Sequence, residues 1–139
     1  MDAKRLVIGT LVGGVTLYVT GYLIFELAFG AFYAANAGSA TGVMRDPQLQ
    51  WALAAGSLSY GALVSLAIGN GASSATLAAG AKIGAIVGFL LWFTADFTLY
   101  GVTNIANLTR TIVDPLLEIA HGGIAGAIVG VVLKSSARA

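Results

Sequence analysis

Four long runs of apolar residues, separated by short polar segments, dominate the pattern of this chain. The runs cover about residues 6–34, 51–69, 76–101 and 111–133. Each run is close to or longer than the roughly 20 residues that an α-helix needs to cross the hydrocarbon core of a bilayer. Because unpaired backbone groups are too costly in lipid, such runs cross membranes as helices. The pattern predicts an all-α protein with four transmembrane helices in a single integral membrane domain, residues 1–139.

The connections between the runs predict how the helices are arranged. Residues 70–74 form a short polar turn rich in Gly and Ser, which favours an antiparallel hairpin of the second and third helices. The first connection, residues 36–50, is longer and contains Arg45, Asp46 and Pro47. We therefore predict an up-and-down antiparallel bundle of four helices.

Basic residues near the helix ends predict the orientation of this bundle. The side of a membrane protein that is richer in Lys and Arg faces the cytoplasm. With the predicted arrangement, five basic residues fall on the side of the two termini and two on the other side. We therefore predict a multi-pass protein of the inner (plasma) membrane with both termini in the cytoplasm. The five residues are Lys4, Arg5, Lys82, Lys134 and Arg138, and the two are Arg45 and Arg110.

Glycines recur every four positions in the third and fourth helices. Residues at this spacing share one ridge of a helix, and small side chains let two backbones approach closely in lipid. We expect these ridges to pack helix against helix. Small residues four apart also occur in the first and second helices, at Gly9 and Gly13 and at Ser57, Gly61, Ser65 and Gly69. Because four helices carry such ridges and only three connections join them, some ridges are also candidates for contacts in a homo-oligomer or a larger membrane complex. The ridge residues are Gly80, Gly84 and Gly88 in the third helix and Gly122, Gly126 and Gly130 in the fourth.

Composition agrees with a membrane location and narrows the set of partners. Hydrophobic residues make up 58% of the chain and charged residues 9%, whereas soluble domains carry about 25% charged residues. The lipid bilayer is therefore the predicted partner. A net charge of +1 provides no field that would attract nucleic acid, so nucleic acid is not expected to bind. The chain contains no cysteine, which excludes disulfides and thiolate chemistry.

Ionisable and polar side chains inside the apolar runs are the candidates for function. A charge near the centre of a bilayer costs at least about 2.5 to 3.5 kcal/mol and is tolerated mainly against partners. The third helix is expected to carry a polar stripe from Asp96 to Asn107, and the fourth a second stripe from Asp114 to His121. Together with a carboxylate near the outer end of the first helix, these stripes predict a pocket in the outer half of the bundle. The predicted pocket residues are Glu26, Asp96, Tyr100, Asn104, Glu118 and His121.

Several interpretations of this pocket stay open. Ionisable groups at bilayer depth can exchange protons or pass cations, and a polar pocket can also hold a small solute or a lipid head group. Glu118 and His121 form a Glu-x-x-His pair, which carboxylate-bridged di-iron bundles use twice; here it occurs once, so these two residues are the candidate metal ligands. Alternatively, the polar groups satisfy one another and only fix the helix register.

Helices three and four also carry a resemblance to known sequences. The segment Tyr100, Thr103, Asn104, Ile105 and Ala106 resembles the Tyr-x-x-Thr-Asn-Leu-Ala signature of small bacterial four-helix membrane proteins catalogued as domains of unknown function. The stretch 114–130 is similar to the end of another such group. The resemblance covers about the last third of the chain. It implies a four-helix membrane topology and supplies no activity.

These patterns predict a small membrane protein that binds or conducts a proton, cation or small polar solute through the pocket. The alternative is a structural or accessory subunit of a larger membrane complex. A carrier needs a cavity lined by the pocket residues, whereas a complex subunit needs glycine ridges that face outward. The sequence contains no phosphate-binding glycine loop, nucleophile elbow or haem attachment motif, so it supports no enzyme class and implies no particular cofactor.

Overall fold

The computed structural model describes residues 1–70 and 76–136. Within these ranges the regular secondary structure is helical, apart from one isolated β-bridge. Four helical spans are long and apolar enough to cross a membrane. The predicted all-α fold with four apolar helices is therefore confirmed, while Arg138 and most of the predicted turn at 70–74 lie outside the described residues. The elements are α1 (Ala3–Gly21), a π-helical segment (Tyr22–Ala28), α2 (Gly30–Ala35), α3 (Gln50–Gly69), α4 (Leu77–Val102) and α5 (Leu108–Ser136).

Side-chain caps mark the beginnings of three of these helices. Asp2 accepts a hydrogen bond from the Arg5 amide at 2.8 Å at the start of α1, and this bond lowers the pKa of Asp2. Thr76 caps α4 in the same way through the Ala79 amide, at 3.1 Å. Asn107 caps α5, because its Oδ1 atom accepts from the Arg110 amide at 2.9 Å. Such caps satisfy amide groups that have no partner within the first turn of a helix.

The glycine ridges of α4 and α5 lie directly against each other. A Cβ atom added to Gly84 would lie 2.9 Å from the Cα atom of Gly126, and one added to Gly80 would lie 3.0 Å from that of Gly130. Glycine is needed at these positions because the two backbones approach too closely for a side chain. Residue numbers rise along α4 while those of the facing residues in α5 fall, so the two helices are antiparallel.

Helix α1 packs against both α3 and α5, again in opposite directions. A Cβ added to Gly14 would lie 2.9 Å from the Cα of Leu58, and one added to Gly9 would lie 3.0 Å from the Cβ of Ser65. Gly13 similarly approaches Val129 of α5, to within 3.0 Å for an added Cβ. Successive long helices therefore alternate in direction.

The half of the bundle at the end that carries the N-terminus has an apolar, tightly packed interior. Leu17, Val64, Val129 and Leu133 are buried there and form one hydrophobic core. At the same end, the Arg5 guanidinium donates a hydrogen bond to the carbonyl of Leu133 at 2.9 Å. Four basic residues from three helices lie towards this end: Lys4 and Arg5 of α1, Lys82 of α4 and Lys134 of α5.

At the opposite end, two loops pair and close the bundle; we call residues 36–40 and 104–107 the loop cap. The Gly38 amide donates to the carbonyl of Ile105 at 2.9 Å, and the Ala40 amide donates to that of Asn104 at 3.0 Å. A Cβ on Gly38 would lie 2.9 Å from the Ala106 nitrogen, so this position requires glycine. The loop cap brings the segment after α2 over the ends of α4 and α5.

The structure differs from the sequence prediction at two places. The first apolar run, predicted as one helix over 6–34, contains the π-helical segment and a break at Phe29, where φ is −115° and ψ is 7°. The polar stripe predicted on α4 from Asp96 to Asn107 is interrupted, because α4 ends at Val102 and Thr103 is extended, with φ −140° and ψ 169°. Both differences change where the predicted site residues lie.

Candidate functional site

Buried polar side chains follow one face of α5 in the half of the bundle near the loop cap. They recur at spacings of three and four residues, so they share a stripe that faces the other helices. Pro115 lies beside this stripe and is also buried. Because proline has no amide hydrogen, it cannot donate the usual helical hydrogen bond to the Thr111 carbonyl. The stripe residues are Thr111, Asp114, Glu118 and His121.

The deepest polar group of the stripe is a hydrogen-bonded set centred on Glu118, which is 1% exposed, and His121, which is 6% exposed. The Nδ1 atom of His121 lies 3.0 Å from Oε2 of Glu118. The Nε2 atom of His121 lies 3.0 Å from the carbonyl oxygen of Leu17, in α1. From α3, the hydroxyl of Tyr60 donates to the same Glu118 oxygen at 3.3 Å. The set therefore joins α1, α3 and α5.

These contacts are satisfied when the pair of Glu118 and His121 holds two exchangeable protons in all. A backbone carbonyl can only accept, so the contact with Leu17 requires a hydrogen on Nε2 of His121. Nδ1 then either accepts from a protonated Glu118 or donates to its carboxylate. In both arrangements one further proton lies between the two side chains, and the pair has no net charge. This neutrality makes its burial tolerable.

Aromatic rings surround His121 and shield it. Phe25 meets its ring edge to face at a centroid distance of 5.3 Å, and Tyr60 does so at 6.1 Å. Phe25 belongs to the π-helical segment, a rare form of helix that occurs frequently at functional sites. The effective dielectric constant of this buried, apolar environment is low, which strengthens the electrostatic interaction between Glu118 and His121.

A second polar group lies one helical turn closer to the loop cap, around Asp114. The hydroxyl of Tyr33 donates a hydrogen bond to the Asp114 carboxylate. The Arg110 guanidinium stacks over the Tyr33 ring, with Cζ 4.8 Å from the ring centroid. From α4, the carboxyl group of Asp96 comes within hydrogen-bonding reach of Asp114. Two acidic side chains and one basic side chain therefore meet at this level.

Asp96 and Asp114 form a carboxyl pair with an unsatisfied atom. Two carboxyl groups in contact favour a state in which they share one proton, because two adjacent negative charges repel. The Oδ2 atom of Asp96 is buried and has no hydrogen-bond partner among the residues described. The carboxyl pair can therefore hold a proton and accept a further hydrogen bond.

A small cavity of about 50 Å³ opens beside the carboxyl pair, between α4, α5 and the loop cap. Tyr100, which is 42% exposed, lies at its edge. The cavity is the place where the polar stripe comes closest to the loop end of the protein. Its lining residues are Asp96, Leu99, Tyr100, Thr103, Ile105, Ala106, Arg110 and Thr111.

The predicted pocket residues divide into three sets. Glu118 and His121 are bonded to each other, and Asp96 and Tyr100 line the cavity next to them. Glu26 does not join them: its carboxylate is exposed and accepts from Gln48 Nε2 at 2.8 Å. The π-helical segment that contains Glu26 changes the helical register assumed in the prediction, so this side chain emerges on the outer surface.

Asn104 is the second residue that the prediction misplaced. Because α4 ends at Val102, Asn104 belongs to the loop cap, where it is exposed and its carbonyl accepts from the Ala40 amide. Asn107 is likewise outside α4 and caps α5; its Nδ2 atom also donates to Asn36 Oδ1 at 3.1 Å. Both asparagines therefore belong to the loop cap. Of the predicted pocket residues, Asp96 and Tyr100 line the cavity.

Three important side chains were not among the predicted pocket residues. Tyr60 is a single phenol within the apolar run of α3, and this isolation is the signal that could have identified it. Asp114 lies on the predicted polar stripe of the fourth helix, one turn before Glu118, so its spacing already places it beside the pocket. The sequence places Tyr33 on the face of Glu26 as a hydroxyl partner, whereas its contact with Asp114 depends on the break at Phe29.

The structure gives no support for the candidate metal ligands. Both ring nitrogens of His121 already have partners, and Glu118 has two. No group of three or more His, Asp or Glu side chains that could hold a metal ion occurs within residues 1–70 and 76–136.

Comparisons with known proteins provide no further guide: no protein-family model, curated protein or solved structure matches this chain. The resemblance of helices three and four to small bacterial membrane proteins stays a prediction.

Proposed function

We propose that this is a membrane protein that binds exchangeable protons within the outer half of its helical bundle. The observation that carries the proposal is the stripe of buried polar side chains on α5, which contains three ionisable groups, Asp114, Glu118 and His121. Ionisable groups at bilayer depth are costly and are generally found where ions or protons are handled. The limited size of the cavity favours protons over a larger solute.

The spacing of the stripe suits stepwise proton movement. Successive groups lie about one turn apart, or roughly 5.4 Å along the helix axis, and the distance from Asp114 to His121 along this axis is about 10 Å. A proton that reaches the carboxyl pair of Asp96 and Asp114 is then one turn from Glu118. There it meets a side chain that already shares a proton with His121.

The polar stripe does not continue through the whole bundle. Beyond His121, the inward positions of α5 are Ala125, Val129 and Leu133, all fully buried. The buried polar side chain described in this inner part is Ser65, which donates to the Gly61 carbonyl of its own helix. These contacts support a site reached from one side, which binds and releases protons without conducting them across a single chain.

We further propose that the protein lies in the inner membrane with both termini in the cytoplasm. Its support is the gathering of basic side chains at the end of the bundle that carries the N-terminus, together with the positive-inside rule. In that orientation the loop cap faces outside, and the cavity opens towards the external medium.

A structural or accessory subunit of a larger complex is the rival function. That role requires glycine ridges that face outward. The ridge glycines of α4 instead meet those of α5 in the same chain, as Gly84 does with Gly126. The contacts favour the proton-binding proposal, which needs no second copy or partner.

The chain offers a direct test, because it contains a single histidine. Protein with ¹⁵N-labelled histidine in lipid nanodiscs gives signals from His121 alone. We expect Nε2 to stay protonated and the Nδ1 signal to change with pH across the range in which the protein stays folded, because the pair with Glu118 exchanges a proton. In Glu118→Gln this change should be altered or lost, since the amide cannot share the proton.

Glu26→Gln is the matched control, because it makes the same chemical change at an exposed carboxylate outside the stripe. Its His121 signals should follow those of wild type. Wild-type signals that ignore pH over the whole range, or the same response in Glu118→Gln as in wild type, would contradict proton binding. The purely structural interpretation of the stripe would then stand.

A further inference from the structure

We propose that the cavity beside Asp96 is a hydration site whose water molecules carry protons from the loop end to the carboxyl pair of Asp96 and Asp114. This inference rests on the proposed function and identifies how protons reach the stripe. Three features occur together here: a cavity, the buried Oδ2 atom of Asp96, which lacks a donor among the residues described, and the guanidinium of Arg110.

The Oδ2 atom of Asp96 requires a donor. A buried acceptor without a hydrogen bond costs roughly 1 to 3 kcal/mol, so such atoms are generally satisfied by water where the protein supplies no partner. Asp96 lines the cavity, and Oδ2 has no partner among the residues described. The carboxyl group lines the cavity while Oδ2 itself is enclosed, so a rotation of this group brings Oδ2 to water in the cavity.

The size of the cavity matches water. A buried water needs at least about 10 to 15 Å³ of accessible space, so a cavity of about 50 Å³ holds a few molecules. Ordered water also needs two to four polar partners. The lining supplies the polar side chains of Asp96, Arg110 and Tyr100.

The charges around the cavity favour water over a bound metal cation. The groups that interact with Asp96 from α5 are Asp114, Arg110 and Glu118. Arg110 is a permanent cation on the cavity wall, so it repels a metal ion. Tyr33, from α2, already donates to Asp114. A chain of water molecules that bridges Asp96 and Arg110 fits this arrangement of donors and acceptors.

The position of the cavity gives the water a function. It lies between the loop cap and the carboxyl pair, with Thr103, Ile105 and Ala106 on the side of the loops. The exposed side chain of Tyr100 marks the edge nearest the surroundings. Protons that arrive from the external side therefore pass through this water before they reach Asp96.

Filling the cavity provides the test. Ala106→Leu adds apolar volume to the lining, whereas Ala37→Leu adds the same group to an exposed position directly opposite in the loop cap. After a rapid pH change, infrared spectroscopy of the carboxyl groups follows proton uptake by the protein in nanodiscs. We expect uptake to slow by at least about tenfold in Ala106→Leu, a barrier increase of about 1.4 kcal/mol, with an unchanged final extent. Ala37→Leu should match wild type.

A second variant protects the test against misfolding. Tyr100→Phe removes one hydroxyl from the lining without added volume, and it should also slow uptake. Uptake at the wild-type rate in both Tyr100→Phe and a folded Ala106→Leu would overturn the hydration site and leave proton binding intact. Wild type that takes up no protons at its carboxyl groups would overturn the proposed function itself.

Discussion

Gly84→Ala tests how α4 and α5 are held together, because it adds a single methyl group at the closest approach of the two helices. The added Cβ would lie 2.9 Å from the Cα of Gly126, whereas ordinary contacts begin at about 3.4 Å. It would also lie 3.0 Å from the carbonyl carbon of Gly122. Both neighbours are backbone atoms, so no side-chain rotation can relieve the overlap. The two helices must separate.

Two effects of opposite sign determine the result. Alanine is favoured over glycine in a helix interior by roughly 0.5 to 1 kcal/mol. Overpacking of a well-packed interface costs typically about 1 to 3 kcal/mol. Because the overlap is with backbone, we expect the overpacking to dominate and Gly84→Ala to lower the free energy of unfolding by about 1 to 2 kcal/mol.

Unfolding in detergent, followed by circular dichroism with heating or added denaturant, measures this change. Gly101→Ala is the matched control in the same helix, since no atom lies within 4 Å of an added Cβ there. It should be neutral or slightly stabilising. If Gly84→Ala unfolds at or above the wild-type midpoint, the close approach of α4 and α5 does not hold the bundle together, and the packing argument is refuted.

Two further predictions concern orientation and the carboxyl pair. Because the chain has no cysteine, a membrane-impermeant thiol reagent should label Ala3→Cys only from the cytoplasmic side and Thr41→Cys only from outside; the reverse pattern would overturn the orientation. Asp96→Asn should leave thermal stability in detergent unchanged or raised, because an amide can donate to Asp114 where two carboxyl groups compete for one proton. A clear loss of stability in Asp96→Asn would show that the carboxyl pair is not a site of stored repulsion.

The sequence by itself determined the four long apolar helices and the separation of polar from apolar halves. The length of an apolar run and its lack of charge are local properties, and in lipid they leave few alternatives to a helix. The spacing of Glu118 and His121 was equally local: residues three apart in a helix share a face, and the structure bonds them as a pair.

Only the tertiary structure decided which polar residues meet. Glu26 and Asn104 fail to join the pocket because a π-helical segment and an early helix end change their directions, and each residue of shift rotates a helical position by about 100°. Tyr60 and Tyr33 join it from elements distant in sequence. Hydrogen bonds across helices depend on the rotation and depth of every partner, so they are fixed only when the glycine ridges set how closely the helices approach.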